Sequence, residues 1–165
     1  MRSVTPMVFM STVILFLTVN PYSNAQDNDG AAAIEQVSLV IDNKARKLGG
    51  TKMVAEHLKK QFHVDENTIY TLREKKMGYG DITTLLALAE QMPGGINEDN
   101  LNEIVDIRKG KWGDEGWERV AEYLGVEIDP VILRTKAVGS SLEHSADVSY
   151  EYASSEMANI AAKNS

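Results

Sequence analysis

The sequence predicts an all-α fold, and three observations carry that expectation. No stretch shows the alternating apolar-polar period of a half-buried strand, and there are no regularly spaced hairpin turns of the Asn-Gly type. Apolar residues instead recur every three or four positions, in segments bounded by capping residues, glycine or proline. One pattern also occurs twice: Ile69 and Leu72-Arg73 lead to Gly78-Tyr79-Gly80-Asp81, and Ile104 and Ile107-Arg108 lead to Trp112-Gly113-Asp114. The offset from Ile69 to Ile104 is 35 residues, so the expected architecture is a pair of duplicated helix-turn-helix units, closed into a small bundle or stacked as a short solenoid.

The elements follow in order. Gln26 to Gly30 is polar; Asp27-Asn28-Asp29-Gly30 lacks the flanking acidic ligands of a calcium loop, with alanine at 25 and glutamine at 36, and reads as a flexible turn. Ala31 to Leu48 places Ile34, Val37, Ile41, Ala45 and Leu48 on one helical face and stops at Gly49-Gly50. Thr51 is a candidate cap for a second helix with the stripe Ala55, Leu58 and Phe62, and Lys59 and Lys60 suit its negative C-terminal end. Asp65 caps a third, carrying Ile69, Leu72 and Met77, which Gly78-Tyr79-Gly80 ends. The two glycines there admit positive φ, leaving the aromatic ring free to fold back as a plug.

Asp81 opens a fourth helix with the stripe Ile82, Leu85, Leu86 and Ala89, broken at Pro93-Gly94-Gly95. Asn97 or Asp99 caps a fifth through Leu101, Ile104, Val105 and Ile107; Gly110 to Gly116 is the second turn; Trp117 to Leu124 is a sixth helix closed by Gly125. Asp129-Pro130 starts a seventh, in which Leu133-Arg134 followed by Gly139 looks like a truncated third copy of the pattern. From Gly139 onward serine and alanine dominate, and 139–165 reads as a marginal helix or a disordered tail.

The first 25 residues stand apart. Arg2 is followed by an almost wholly apolar stretch from Met7 to Val19, then Pro21 and the small residues of Ser23-Asn24-Ala25, which is the pattern of a signal peptide cleaved after Ala25. An apolar run of about 13 residues falls short of the roughly 20 that a spanning helix needs, so no stable membrane insertion is expected after cleavage. The expected domain is then 26–138, periplasmic or secreted. Loss of Arg2 leaves 16 basic side chains of the 17 against 24 acidic ones, a formal charge of −8, which disfavours a polyanionic partner. With no cysteine, the exported chain has neither a disulfide nor a thiol nucleophile and must be held by apolar packing.

Candidate functional residues lie around the two turns. Tyr79, Trp112 and Trp117 are candidate binding aromatics, and Arg73 and Arg108, which recur after the same apolar position, are candidate clamps for a carboxylate or phosphate. The plainer reading makes Tyr79 and Trp112 core plugs and pairs each arginine with an acidic residue or a helix end of its own unit, Asp81 and Asp114 being available. The same aromatics with Asp81, Asp114 and Glu115 suggest as an alternative a sugar-binding or sugar-cleaving site. Val54-Ala55-Glu56-His57-Leu58 and Val120-Ala121-Glu122-Tyr123-Leu124-Gly125-Val126 resemble the first helix of a bacterial helix-turn-helix, but acidic residues share the helices that carry Arg73, Lys75, Lys76, Arg108 and Lys109, so nucleic acid is not expected as a partner.

His57, His63 and His144 lack zinc-site spacing, no nucleotide loop or nucleophile elbow is present, and no metal, cofactor or catalytic constellation is implied. With Leu72-Arg73, Gly78-Tyr79-Gly80, Ile107-Arg108 and Trp112-Gly113, the stretch from about Val54 to Val126 resembles uncharacterised exported bacterial proteins with repeated Leu-Arg, Gly-Trp-Gly and Ile-Ala motifs. That resemblance implies export and a helical repeat, and no activity. The expectation is a non-catalytic protein that binds an unknown protein or envelope component, or has a structural role there.

Overall fold

The structure, a computed structural model, describes residues 27–110 and 116–163, with side chains over 30–110 and 116–145. The expected signal peptide, Trp112 and Asp114 lie outside the described residues. Among the described residues the chain forms seven helices and no strand: α1 (Asp27–Ala45), α2 (Gly50–Phe62), α3 (Glu66–Glu74), α4 (Tyr79–Gln91), α5 (Glu98–Lys109), α6 (Trp117–Leu124) and α7 (Ile128–Lys163). The all-α expectation holds. The chain closes into a bundle, since α1 and α7 pack on each other and both pack on α4.

Helix α4 is the centre of this bundle. Every residue from Ile82 to Ala89 is buried, so this part of α4 is buried on all sides rather than along the single stripe expected from its spacing. Helices α1, α2, α3, α5 and α7 surround it. Its two buried threonines are compatible with that position because each hydroxyl donates to the carbonyl four residues back, Thr83 to Tyr79 at 2.8 Å and Thr84 to Gly80 at 3.3 Å.

The Gly-Tyr-Gly segment works differently from the expected glycine turn. The left-handed residue that ends α3 is Lys76, at φ 68°, and the Met77 amide reaches back to the Leu72 carbonyl. Gly78 has ordinary extended backbone, at φ −64° and ψ 160°, and Gly80 lies inside α4. What the glycines supply is close approach: a Cβ on Gly80 would sit 2.4 Å from the Ser38 Cα, and one on Gly78 would sit 2.8 Å from an Asp42 carboxylate oxygen. Helix α1 thus lies directly on the start of α4. The Asp42 Oδ1 accepts from the amides of Tyr79 (2.7 Å) and Gly80 (3.2 Å), capping α4 from a helix far upstream, a role the sequence suggested for Asp81.

Other boundaries also shift for physical reasons. Helix α1 stops at Ala45, and Leu48, expected on its buried face, is fully exposed in the connection. Gly49, at φ 73°, stands at the N-cap of α2, and the Thr51 hydroxyl donates to the Ala45 carbonyl at 3.3 Å instead of capping its own helix. Asp65 and Asn97 do cap α3 and α5, through the amides of Asn67 and Asn100. Gly139 marks no turn: it lies within α7, where a Cβ would come within 2.7 Å of Val37, and the buried face of α7 continues past it to Leu142.

Candidate functional site

Among the described residues three arginines lie over aromatic rings, and what else each one touches separates them. Arg73, in the last turn of α3, has its guanidinium 4.7 Å from the centroid of Tyr79, the first residue of α4, and Nη1 donates to the Met77 carbonyl. The Tyr79 ring is buried, as expected of a plug, and that burial pushes its phenol above the ordinary pKa against the opposing pull of Arg73. Arg134, on α7, lies 4.7 Å from Phe62, while Nε donates to Glu90 at 2.8 Å and Nη2 to the Gln61 carbonyl. It therefore fastens the C-terminal ends of α2 and α4 to α7.

Arg108, in the last turn of α5, lies 5.1 Å from Trp117, the first residue of α6. Among the described residues it makes neither an ion pair nor a hydrogen bond. Of the two expected partners, an acid or a helix end of its own unit, Arg73 takes the helix end, the Met77 carbonyl just past α3, and not Asp81; Asp114, the acid expected for Arg108, lies outside the described residues. Asp81 instead accepts from the Trp117 indole Nε1 at 3.2 Å, which ties the start of α4 to the start of α6. Trp117 is thus buried at 7% exposure, with Arg108 over its ring, as Tyr79 is with Arg73. Each of these two rings follows a glycine N-cap, Gly78 or Gly116. Neither offers the open face that a stacking platform needs.

Around Arg108 lies a cleft of about 250 Å³. Ala31, Ile34, Glu35 and Ser38 of α1 form one wall; Asp81, Arg108, Gly116 and Trp117 form the rest. The Ser38 Oγ is buried without a hydrogen-bond partner among the described residues. The reason is local: Gly80 presses against the Cα and Cβ of Ser38, so the serine is held between two helix backbones. A buried hydroxyl left unpaired costs about 1–3 kcal/mol, and because this oxygen is closed to solvent the cost is carried by the packing of α1 on α4.

A second, wider groove of about 420 Å³ runs between α3 and α5, from Asp65 and Asn97 to Lys75 and Asn102. Several of its polar groups are engaged within the fold: Lys75 Nζ donates to Asn102 at 2.8 Å, and the Asp65 and Asn97 side chains cap their helices. Among the described residues no group of three potential metal ligands occurs. His57 Nε2 lies 2.9 Å from the Ser141 hydroxyl, which itself donates to the Val138 carbonyl, so this pair joins α2 to α7. Burial lowers the His57 pKa below its ordinary value.

Of the residues the sequence singled out, Trp117 and Arg108 meet in the cleft, Tyr79 and Arg73 pair apart from it, and Trp112 lies outside the described residues. Glu35 and Ser38 carried no sequence signal, being isolated polar positions on an amphipathic helix. No protein-family model, curated protein or solved structure matches this chain.

Proposed function

We propose that the chain is an exported binding protein of the cell envelope that acts without catalysis, and that its ligand position is the cleft between α1, α4, α5 and α6. The observation that carries this reading is the Arg108 guanidinium, which lines the cleft without an ion-pair or hydrogen-bond partner among the described residues. A guanidinium has five donors, and one left unpaired beside a concave wall favours an anionic ligand group. The leader pattern from Arg2 to Ala25 supports export. The helix pairs α3–α4 and α5–α6, each with an arginine over an aromatic that opens the next helix, are read as two copies of one unit.

Two measurements test this. The full chain expressed in a bacterium should appear outside the cytoplasm with Gln26 as its first residue; an intact cytoplasmic product defeats the export reading. Titration of the mature protein with small carboxylates, phosphate and zwitterions should shift the Trp117 indole N–H resonance, and Arg108→Gln should abolish the shift. If no compound of such a panel moves that resonance, the cleft is not the binding position.

A further inference from the structure

Resting on that reading, we infer that the cleft recognises a small zwitterion of the α-amino acid type, its carboxylate held by Arg108 and its ammonium by Asp81 and Glu35. The described residues that line the cleft carry charges of both signs that do not cancel by direct contact with one another. Among the described residues no ion pair joins Arg108 to Asp81 or to Glu35, although all three line it. A purely anionic ligand would meet two carboxylates, and a purely cationic one would meet the guanidinium. A molecule bearing one charge of each sign satisfies both walls.

The details of each wall agree with this division. The flat guanidinium is suited to holding a carboxylate through two parallel hydrogen bonds, and it sits over the Trp117 ring, 5.1 Å from its centroid. Asp81 spends Oδ1 on the Trp117 indole, which orients the carboxylate and leaves Oδ2 as an acceptor. Ala31 and Ile34 supply the apolar part of the wall. The volume, about 250 Å³, lies under the usual range for drug-sized ligands and suits a molecule on the order of ten non-hydrogen atoms, with a short apolar side chain.

The test uses the mature chain and three matched probes, L-valine, L-valinamide, which lacks the carboxylate, and N-acetyl-L-valine, which lacks the ammonium, with acetate, succinate and phosphate as simple anions beside them. Binding is followed by calorimetry and by the Trp117 indole resonance. L-valine should bind, and each derivative should bind at least about tenfold more weakly, the loss of one charge-assisted contact. In Arg108→Gln the acid and the amide should become equivalent. In Asp81→Asn, which keeps an oxygen for the indole, and in Glu35→Gln the penalty for N-acetylation should shrink. Should Arg108→Gln fail to fold, Arg108→Lys and the comparison of probes on the unaltered protein still decide. Equal binding of L-valine and its amide to the unaltered protein overturns the inference. So does an indole shift with acetate or succinate that valine does not exceed, an outcome that leaves the broader binding reading standing. Silence from all of these probes, phosphate included, removes both.

Discussion

Gly80 and Lys76 show how strongly single positions depend on what lies across from them. Gly80 has ordinary helical surroundings in the sequence, yet the Ser38 Cα would stand 2.4 Å from its Cβ. Gly80→Ala should therefore push α1 off α4 and destabilise the fold by about 1–3 kcal/mol, the usual range for overpacking, even though alanine is the better helix former. Urea unfolding measures it; an unchanged midpoint would mean that α1 does not rest on α4 at this point. Lys76 is the reverse case. It holds φ 68°, a left-handed conformation that strains any residue with a Cβ. Lys76→Gly should raise stability by about 1 kcal/mol, since glycine adopts that geometry without the clash. A lower midpoint would show that Lys76 contributes through its side chain instead.

At the scale of an element, α4 is governed by a partner outside its own segment. A helix buried on all sides cannot leave its first amides to solvent, and the Asp42 carboxylate of α1 meets those of Tyr79 and Gly80. Asp42→Ala should cost about 1–2 kcal/mol, the range for losing an N-terminal cap, whereas Asp42→Asn keeps the accepting oxygen and should recover most of it. Equal losses in the two variants would assign the effect to charge and not to capping. The buried aromatic that opens α4 behaves as part of the same device, because Tyr79 is 3% exposed under Arg73.

For the whole molecule, closure depends on a few polar ties between helices distant in sequence: Arg134 to Glu90 and Gln61, and His57 to Ser141. The second makes global stability depend on pH. Burial holds the folded pKa of His57 below the ordinary 6.5, with Lys60 adding repulsion and the Val138 carbonyl opposing. The unfolded chain therefore takes up the proton more readily. The stabilising share of neutral His57 is fully present above the unfolded value near 6.5 and is lost as pH falls through the folded pKa. Unfolding midpoints taken between about pH 8 and about pH 5 should fall toward acid, and less steeply in His57→Gln. Parallel curves for the two proteins would show that His57 does not contribute to that slope.

What the sequence determined by itself was the helical class and most helix positions, because the signals are local. An i to i−4 ladder, a cap such as Asp65 or Asn97 and a terminating glycine such as Gly125 act within one or two turns of the chain. Arg108 and Trp117 were also legible as candidates, through their place after the repeated pattern. Tertiary structure alone decided that α4 lies at the centre, that Gly78 and Gly80 serve approach rather than reversal, and that Asp42 caps a helix not its own. It also decided that Arg108 shares a cleft with Asp81, Glu35 and Ser38. These facts depend on which faces of α1 and α4 meet, and no residue within a few positions of either partner encodes that meeting by itself.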